Sequence, residues 1–377
     1  MTLVVENANI GPGTHVLVVG VGRYPSYPGF VPGVNTEGQI DSAEIGAQHV
    51  ANWFAKKFHN PGRPLVSLRI LLSNEHGNQW RSADGDVQVA AATTENFLDA
   101  CAAWLAGANK HPGSALILYF AGHGIGNLEQ QSLFCEDYNR VPARKMEGAI
   151  DYMNLERTIA NESKASHAWI FVDTCRTNSM QQTINGEFGR KVNTGSGPIA
   201  YIGGPRISSI FSTPPGGTAH GNAGAPSFFS EAMVKAFEGN AYCRRDGRRW
   251  ACFTDVAFRA ISKQLERIYI RERFDLAKHR PPRQQFDDTD AMIHCMPPAE
   301  LPRMMVDISC DPDNDNLSHK LFWVQEGKEV IQQLPGQIWR TEIPPGPCAF
   351  GAIDQHGTRC RQLDRPIDLP FQQILVV

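Results

Sequence analysis

Short, continuous apolar runs alternate with stretches of helical periodicity through the first three-quarters of the chain, and each change of period falls at a Gly, Pro or Asn cluster. Residues 15–22 (HVLVVGVG) are β-branched, apolar and closed by glycine, which predicts a buried strand. After a loop rich in Pro, Gly and Tyr, residues 39–58 place Ile40, Ala43, Ala47, Val50, Phe54 and Phe58 on one helical face. Residues 65–72 read as a second strand. Residues 94–108 read as a helix capped by Thr94, with Phe97, Leu98, Cys101, Trp104 and Leu105 on its stripe. Further strands are predicted at 115–120, 168–172 and 207–212, with a short extra one at 133–138. Helices are predicted at 152–162, 227–237 and 254–272. Strands alternating with helices of this length imply an α/β fold, a mostly parallel sheet flanked by helices on both faces.

The pattern changes near CMPPAELP (295–302). Beyond it, the alternating stretches MMVDIS, KLFWVQ, QIWRTEI and QILVV are separated by Pro, Gly, Asn and Asp turns, the signature of a small β-sandwich. The expected organisation is an α/β domain over 1–298 and a C-terminal β-sandwich domain over 299–377. A length of 377 residues agrees with two domains.

Composition narrows the function classes. A net charge of −3 shows no basic balance, so no nucleic-acid partner is expected. No run approaches the roughly 20 apolar residues of a membrane span, and the N-terminus lacks the basic start and apolar core of a signal peptide. The nine cysteines are scattered without CxxC pairs, which argues against a disulfide framework and against a zinc site. The expected setting is cytoplasmic, with no metal and no cofactor. Gly20-Val21-Gly22 lacks the third glycine of a dinucleotide fingerprint, Pro25 standing in its place. The Asp311–Asn316 run begins like an EF-hand, but position six is Asn316 rather than Gly and position twelve is Phe322 rather than Glu. Asp287, Asp288 and Asp290 read as a solvated acidic surface or a weak cation site.

Two of the buried strands end in reactive side chains. SALILYFAGHG (114–124) ends at His123 between two glycines, and HAWIFVDTCR (167–176) ends at Cys175, two residues after Asp173. Singly, such a Cys is a small core hydrophobe and such a His is structural. Together, a thiol and an imidazole delivered from the carboxyl ends of two buried strands are the parts of a cysteine hydrolase.

On these motifs the chain resembles the caspase-like cysteine peptidases, and among them the metacaspases and bacterial caspase-like proteases. There, a strand ending in G-H-G carries the catalytic His and a later one ending in D-x-C carries the nucleophile. The likeness covers residues 13–295. It implies a cysteine endopeptidase with Cys175 as nucleophile, His123 as its base and acid, and an oxyanion hole made by the backbone N–H groups of Gly124 and Cys175. Asp173, where true caspases have Gln, and Asp41 in GQIDSAEIG match positions that line the family's first specificity pocket. Two carboxylates there favour Arg or Lys before the cut. The plainer readings are that Asp41 caps the helix starting near Ser42 and that Asp173 bonds turn amides. The family's segment after the nucleophile is often cut during activation, and here EFGRKVNTG predicts self-cleavage at Arg190 or Lys191. The alternative is a flexible loop and an activating partner or ligand.

The chain departs from the metacaspase pattern at Ala121, where Ser is frequent, and at Arg176-Thr177-Asn178, where His-Ser-Gly is frequent. Substrates are expected to be proteins or peptides; the oligomeric state is left open. Two rival readings remain: a catalytically weak or inactive scaffold whose C-terminal β domain recruits a partner, and a non-peptidase hydrolase or acyl transferase using the same thiol.

Overall fold

The computed structural model describes residues 3–7, 11–27, 38–75, 77–126, 130–177, 188–192, 204–244, 249–275, 282–310, 318–335 and 338–376. The chain divides into two compact units, Met1–Val234 with Ile261–Ala291, and Lys235–Ala260 with Met292–Val377.

In the first unit, the apolar runs pair into a seven-stranded sheet: β1 (Leu3–Glu6), β3 (Leu65–Ser73), β2 (Thr14–Val21), β6 (Ala115–Gly122), β10 (His167–Thr174), β11 (Arg206–Phe211) and β13 (Arg283–Phe286), in that order. The five inner strands are parallel, and β1 and β13 close the two edges antiparallel. Every residue of β2 and β6 is buried, which is why these strands lack polar alternation. The strands predicted at 15–22, 65–72, 115–120, 168–172 and 207–212 all form within this sheet. The two edge strands escape sequence reading because each is only four residues long, and RQQF is largely polar.

Helices α1 (Asp41–Lys57), α2 (Thr94–Asn109), α3 (Tyr152–Glu162), α4 (Phe228–Lys235) and α5 (Thr254–Arg271) lie within two residues of their predicted limits. The cap of α2 is Thr93, not Thr94. Thr93 is extended and its hydroxyl accepts the Asn96 amide, whereas the Thr94 amide and hydroxyl both donate to Asp137. Trp104, fully buried on α2, donates its indole N–H to the His15 carbonyl at 2.9 Å, so a side chain whose burial stabilises by about 3 kcal/mol leaves no polar atom stranded.

Beside the carboxyl ends of β6 and β10 lies a small sheet of β7 (Gly124–Gly126), β8 (Gln131–Phe134) and β9 (Ala149–Asp151), and β4 (Gln79–Ser82) and β5 (Gly85–Gln88) form a hairpin. The short strand expected at 133–138 sits earlier, at β8.

The second unit holds a strand pair, β12 (Ala251–Phe253) with β14 (Met292–Cys295), and two sheets. One is ordered β18 (Trp339–Ile343), β15 (Met304–Cys310), β21 (Phe371–Val376). The other is ordered β17 (Lys328–Ile331), β16 (Lys320–Gln325), β19 (Gly346–Ile353), β20 (Arg359–Ile367). They meet through β21 against β19 and β20, with Val306, Ile308, Phe350, Ala352 and Val376 buried. The EF-hand-like run 311–316 lies outside the described residues. No described helix is long and apolar enough to cross a membrane.

Candidate active site

The site is built on one register. β6 and β10 run parallel with Asp173 opposite Ala121 and Thr174 opposite Gly122. The next residue of each strand is His123 or Cys175, so both reactive side chains leave the sheet at the same level on neighbouring strands.

His123 is held by its backbone and its ring. Its N–H donates to the Tyr24 hydroxyl at 2.6 Å and its carbonyl accepts the Phe134 amide at 3.0 Å. Ring atom Nε2 lies 2.9 Å from the Gly38 carbonyl. A carbonyl only accepts, so this bond assigns the proton to Nε2 and leaves Nδ1 as the basic nitrogen. The Tyr27 ring stacks on the imidazole at 5.2 Å between centroids, and Tyr24 approaches at 4.8 Å. Burial lowers the imidazole pKa, partly offset by the Gly38 carbonyl, so the ring is neutral at pH 7.

Cys175 is half-buried. Burial raises its thiol pKa; the Ala219 N–H opposes that shift, and the Asp173 charge adds to it. The resting pair is therefore a neutral thiol and a neutral imidazole.

The glycines flanking His123 are required by protein atoms. A Cβ on Gly122 would lie 2.6 Å from the Tyr24 hydroxyl. One on Gly124 would lie 2.8 Å from Thr174 Oγ1 and 2.9 Å from the Ser132 carbonyl. Thr174 is itself fixed by Gln131, whose amide donates to Oγ1 at 2.6 Å. Beyond Cys175, Thr177 bridges Ile125 of β7, tying the ends of β6 and β10 together through the small sheet.

Asp173 is 4 % exposed. Its carboxylate accepts the Ser227 hydroxyl and, at 3.2 Å, the Tyr119 hydroxyl. Burial pushes its pKa up to about 6, against the pull of the Ser227, Ser212 and Tyr119 hydroxyls. Its partners are hydroxyls rather than turn amides. Asp41 is exposed at the first turn of α1, where the cap position is Ile40 and no side chain caps the helix. Its carboxylate accepts the Gly224 amide at 2.8 Å. Asp41 lines a cavity of about 520 Å³ together with Glu44, Gln39, Gln48, Glu75 and Arg81, and Asp173 does not. The two carboxylates are thus in different surroundings, but both are tied to the segment 224–227.

Arg190 and Lys191 are exposed, whereas their backbone is ordered against β9: the Arg190 amide donates to Ala149 and its carbonyl accepts the Asp151 amide. Phe188 and Val192 carbonyls accept the hydroxyls of Ser132 and Thr158, and Val192 is buried. The rest of the predicted loop lies outside the described residues. Arg176 is buried, its guanidinium 4.4 Å from the Phe211 ring centroid. In the acidic cluster, Asp288 is taken up by Arg206 at 2.5 Å and His167 at 3.3 Å, and Asp287 accepts the Ile207 amide. Among the described residues, no group of three or more His, Cys, Asp or Glu is arranged to hold a metal.

Tyr24, Tyr27, Gly38, Ala219 and Ser227 escaped sequence reading. The only available signal was the density of Tyr and Pro in RYPSYP, because each of the five reaches the site across a long sequence separation.

The solved structure of caspase-1 from Spodoptera frugiperda aligns with a TM-score of 0.40 at 9% identity, covering 75% of this chain and 92% of that one. An uncharacterized protein, y4kE, from Sinorhizobium fredii is 26% identical over 202 residues, 49% of this chain and 53% of that protein. The chain therefore matches about half the length of this curated relative. The family model of the caspase domain matches residues 14–266, from the first residue of β2 into α5. That span covers most of the chain and includes His123 and Cys175, and the chain belongs to the caspase-domain family of cysteine peptidases.

Proposed function

We propose that the chain is a cysteine endopeptidase using His123 and Cys175 as a dyad, of the metacaspase-like kind that cuts after Arg or Lys. The supporting observation is the register that brings Gly122 opposite Thr174 and so starts both side chains from the same level of the sheet. With Nε2–H held by Gly38, Nδ1 takes the thiol proton as Sγ attacks the scissile carbonyl carbon. The carbonyl oxygen becomes an oxyanion, for which the N–H groups of Gly124 and Cys175 are the proposed donors. Nδ1–H then protonates the leaving amine, the C–N bond breaks, and water hydrolyses the acyl-enzyme with His123 again as base. The neutral resting pair suits this sequence, since proton transfer accompanies attack.

Asp173 and Asp41, both joined to the segment 224–227, are the proposed determinants of a basic residue before the cut. Self-processing at Arg190 or Lys191 belongs to the same reading. Because that backbone is hydrogen-bonded to β9, a cut there requires the segment 188–192 to leave the sheet first. The test is a fluorogenic peptide panel differing only in the residue before the cut, with Cys175→Ala as control. Turnover after Arg and Lys that disappears in Cys175→Ala is the expected result. Turnover only after Asp or apolar residues removes the assignment of the two carboxylates, and silence on all peptides leaves either an enzyme without its activator or the scaffold reading.

A further inference from the structure

The dyad accounts for His123 but not for the fully buried tyrosine beside it. Tyr24 lies in the loop after β2, about 100 residues before His123 in sequence, and none of its surface is exposed. Its hydroxyl accepts the His123 amide at 2.6 Å and donates to the Phe134 carbonyl at 3.2 Å. The Phe134 amide in turn donates to the His123 carbonyl at 3.0 Å. These three bonds close a ring joining the loop after β2, the end of β6 and the end of β8, and His123 sits in it with both its backbone groups used.

Two more observations point the same way. The Tyr24 backbone is clamped by Gln39, whose Oε1 accepts the Tyr24 amide at 2.9 Å and whose amide donates to the Tyr24 carbonyl at 3.2 Å. Gln39 follows Gly38, the residue whose carbonyl holds the imidazole. One two-residue stretch therefore anchors both the tyrosine and the ring it serves. The space for the hydroxyl is also reserved, since any side chain at Gly122 would meet it.

We propose that Tyr24 is the positioning residue of His123, its hydroxyl setting the height and tilt at which the imidazole leaves β6 toward Cys175. This inference rests on the dyad reading above. The titratable groups around the hydroxyl are His123, Cys135, Tyr27 and Cys175, and burial raises its pKa well above the usual tyrosine range. Tyr24 therefore acts as a neutral donor and acceptor and exchanges no proton with substrate.

The test needs no substrate. The rate of alkylation of Cys175 by iodoacetamide is followed in the full chain from pH 5 to 10 by mass spectrometry of the Cys175 peptide, with melting curves alongside. The variants are Tyr24→Phe, His123→Ala and Tyr152→Phe. Tyr152 supplies the control because its buried hydroxyl also bonds two partners, Glu156 and Ser209. Tyr24→Phe removes both hydrogen bonds of the hydroxyl and is expected to slow alkylation at pH 7 by about fivefold, toward the His123→Ala rate. The rates should draw together toward pH 10, as hydroxide takes over the removal of the thiol proton from His123. Tyr152→Phe is expected to lower the melting temperature comparably while keeping the wild-type alkylation profile. A wild-type profile in Tyr24→Phe overturns the proposal, as does an equal shift in Tyr152→Phe. If Tyr24→Phe does not fold, Gln39→Leu, which frees the Tyr24 backbone but keeps the hydroxyl, gives the same reading: slower alkylation supports the proposal and an unchanged profile overturns it. If His123→Ala itself leaves Cys175 unchanged, the dyad reading fails and takes the inference with it.

Discussion

At the amino end of β10, His167 lies 3.1 Å from Arg63, 2.9 Å from Ser166 and 3.3 Å from Asp288, with its ring stacked 5.5 Å from Trp169. At the carboxyl end, His123 has one ring hydrogen bond among the described residues, and its other contacts are aromatic faces. Burial lowers both imidazole pKa values, so titration does not separate them. Valence does. The amino end spends its polar groups on each other, and Asp288 there is held below the usual carboxylate range: burial raises it, but Arg206, the Asp290 amide and His167 outweigh burial. At the carboxyl end Asp173 is raised to about 6 with only hydroxyls for company, and Nδ1 of His123 keeps an open lone pair. A parallel sheet gathers one end of every strand at one edge, so the chemistry collects where side chains remain incompletely paired.

Replacing the two histidines tests this contrast most severely. His123→Ala and Cys175→Ala are each expected to lower kcat/KM on an Arg peptide by about 10³ or more. His167→Ala should stay within about threefold while losing thermal stability. A comparable activity loss at both ends would break the comparison.

The glycines come next. Gly124→Ala drives a methyl into Thr174 and the Ser132 carbonyl beside the proposed oxyanion donor, with an expected loss of about 10² in kcat. Gly113, just before β6, has φ +89° but open surroundings, its nearest neighbour being Pro12 at 3.7 Å. Gly113→Ala should cost about 1 kcal/mol of stability in chemical denaturation and leave turnover intact.

Stability against pH should then run in opposite senses at the two ends. Asp173 has a folded pKa raised from 3.8 to about 6, so ionising it costs more in the folded state than in the unfolded one. The wild type should lose stability relative to Asp173→Asn as pH rises from 4 to 6, by up to about 3 kcal/mol. Asp288 is lowered, so its contribution is present above the ordinary value of 3.8 and is lost as pH falls below it. Melting temperatures of wild type, Asp173→Asn and Asp288→Asn from pH 3 to 7 check both signs.

The smallest expected effect concerns the segment 188–192. Gly189 has φ +121°, and a Cβ there would lie 2.6 Å from the Ala149 carbonyl. Gly189→Ala should release the segment from β9 and speed self-cleavage near Arg190 several-fold relative to wild type, read as intact mass against time. An unchanged rate would separate processing from this docking.

Much of the fold was legible because its inner strands are continuous apolar runs that alternate with amphipathic helices, the pattern of a parallel sheet covered on both faces. His123 and Cys175 were legible for the same reason, each being the first reactive side chain after such a run. The edge strands β1 and β13 were not, since four residues carry too little periodicity. Nor were β19 (GPCAFGAI) and β20 (RCRQLDRPI), where Gly, Pro and charge mask strands that only sheet pairing stabilises. Thr93 was overlooked as a cap because Thr94 offers the same hydroxyl one residue later, and only Asp137, distant in sequence, decides between them.

By itself the sequence determined the inner strands of the sheet, the family resemblance and the two reactive residues, because these depend on local burial pattern and on residue type. Only the tertiary structure decided which nitrogen of His123 holds the proton, which environments Asp41 and Asp173 occupy, and why the glycines flank the histidine. Each of those depends on an atom delivered from elsewhere: the Gly38 carbonyl, the Gly224 amide, the Ser227 and Tyr24 hydroxyls. Hydrogen bonds and desolvation act over a few ångströms of space. Chain separation does not enter, and so the pattern along the sequence cannot contain them.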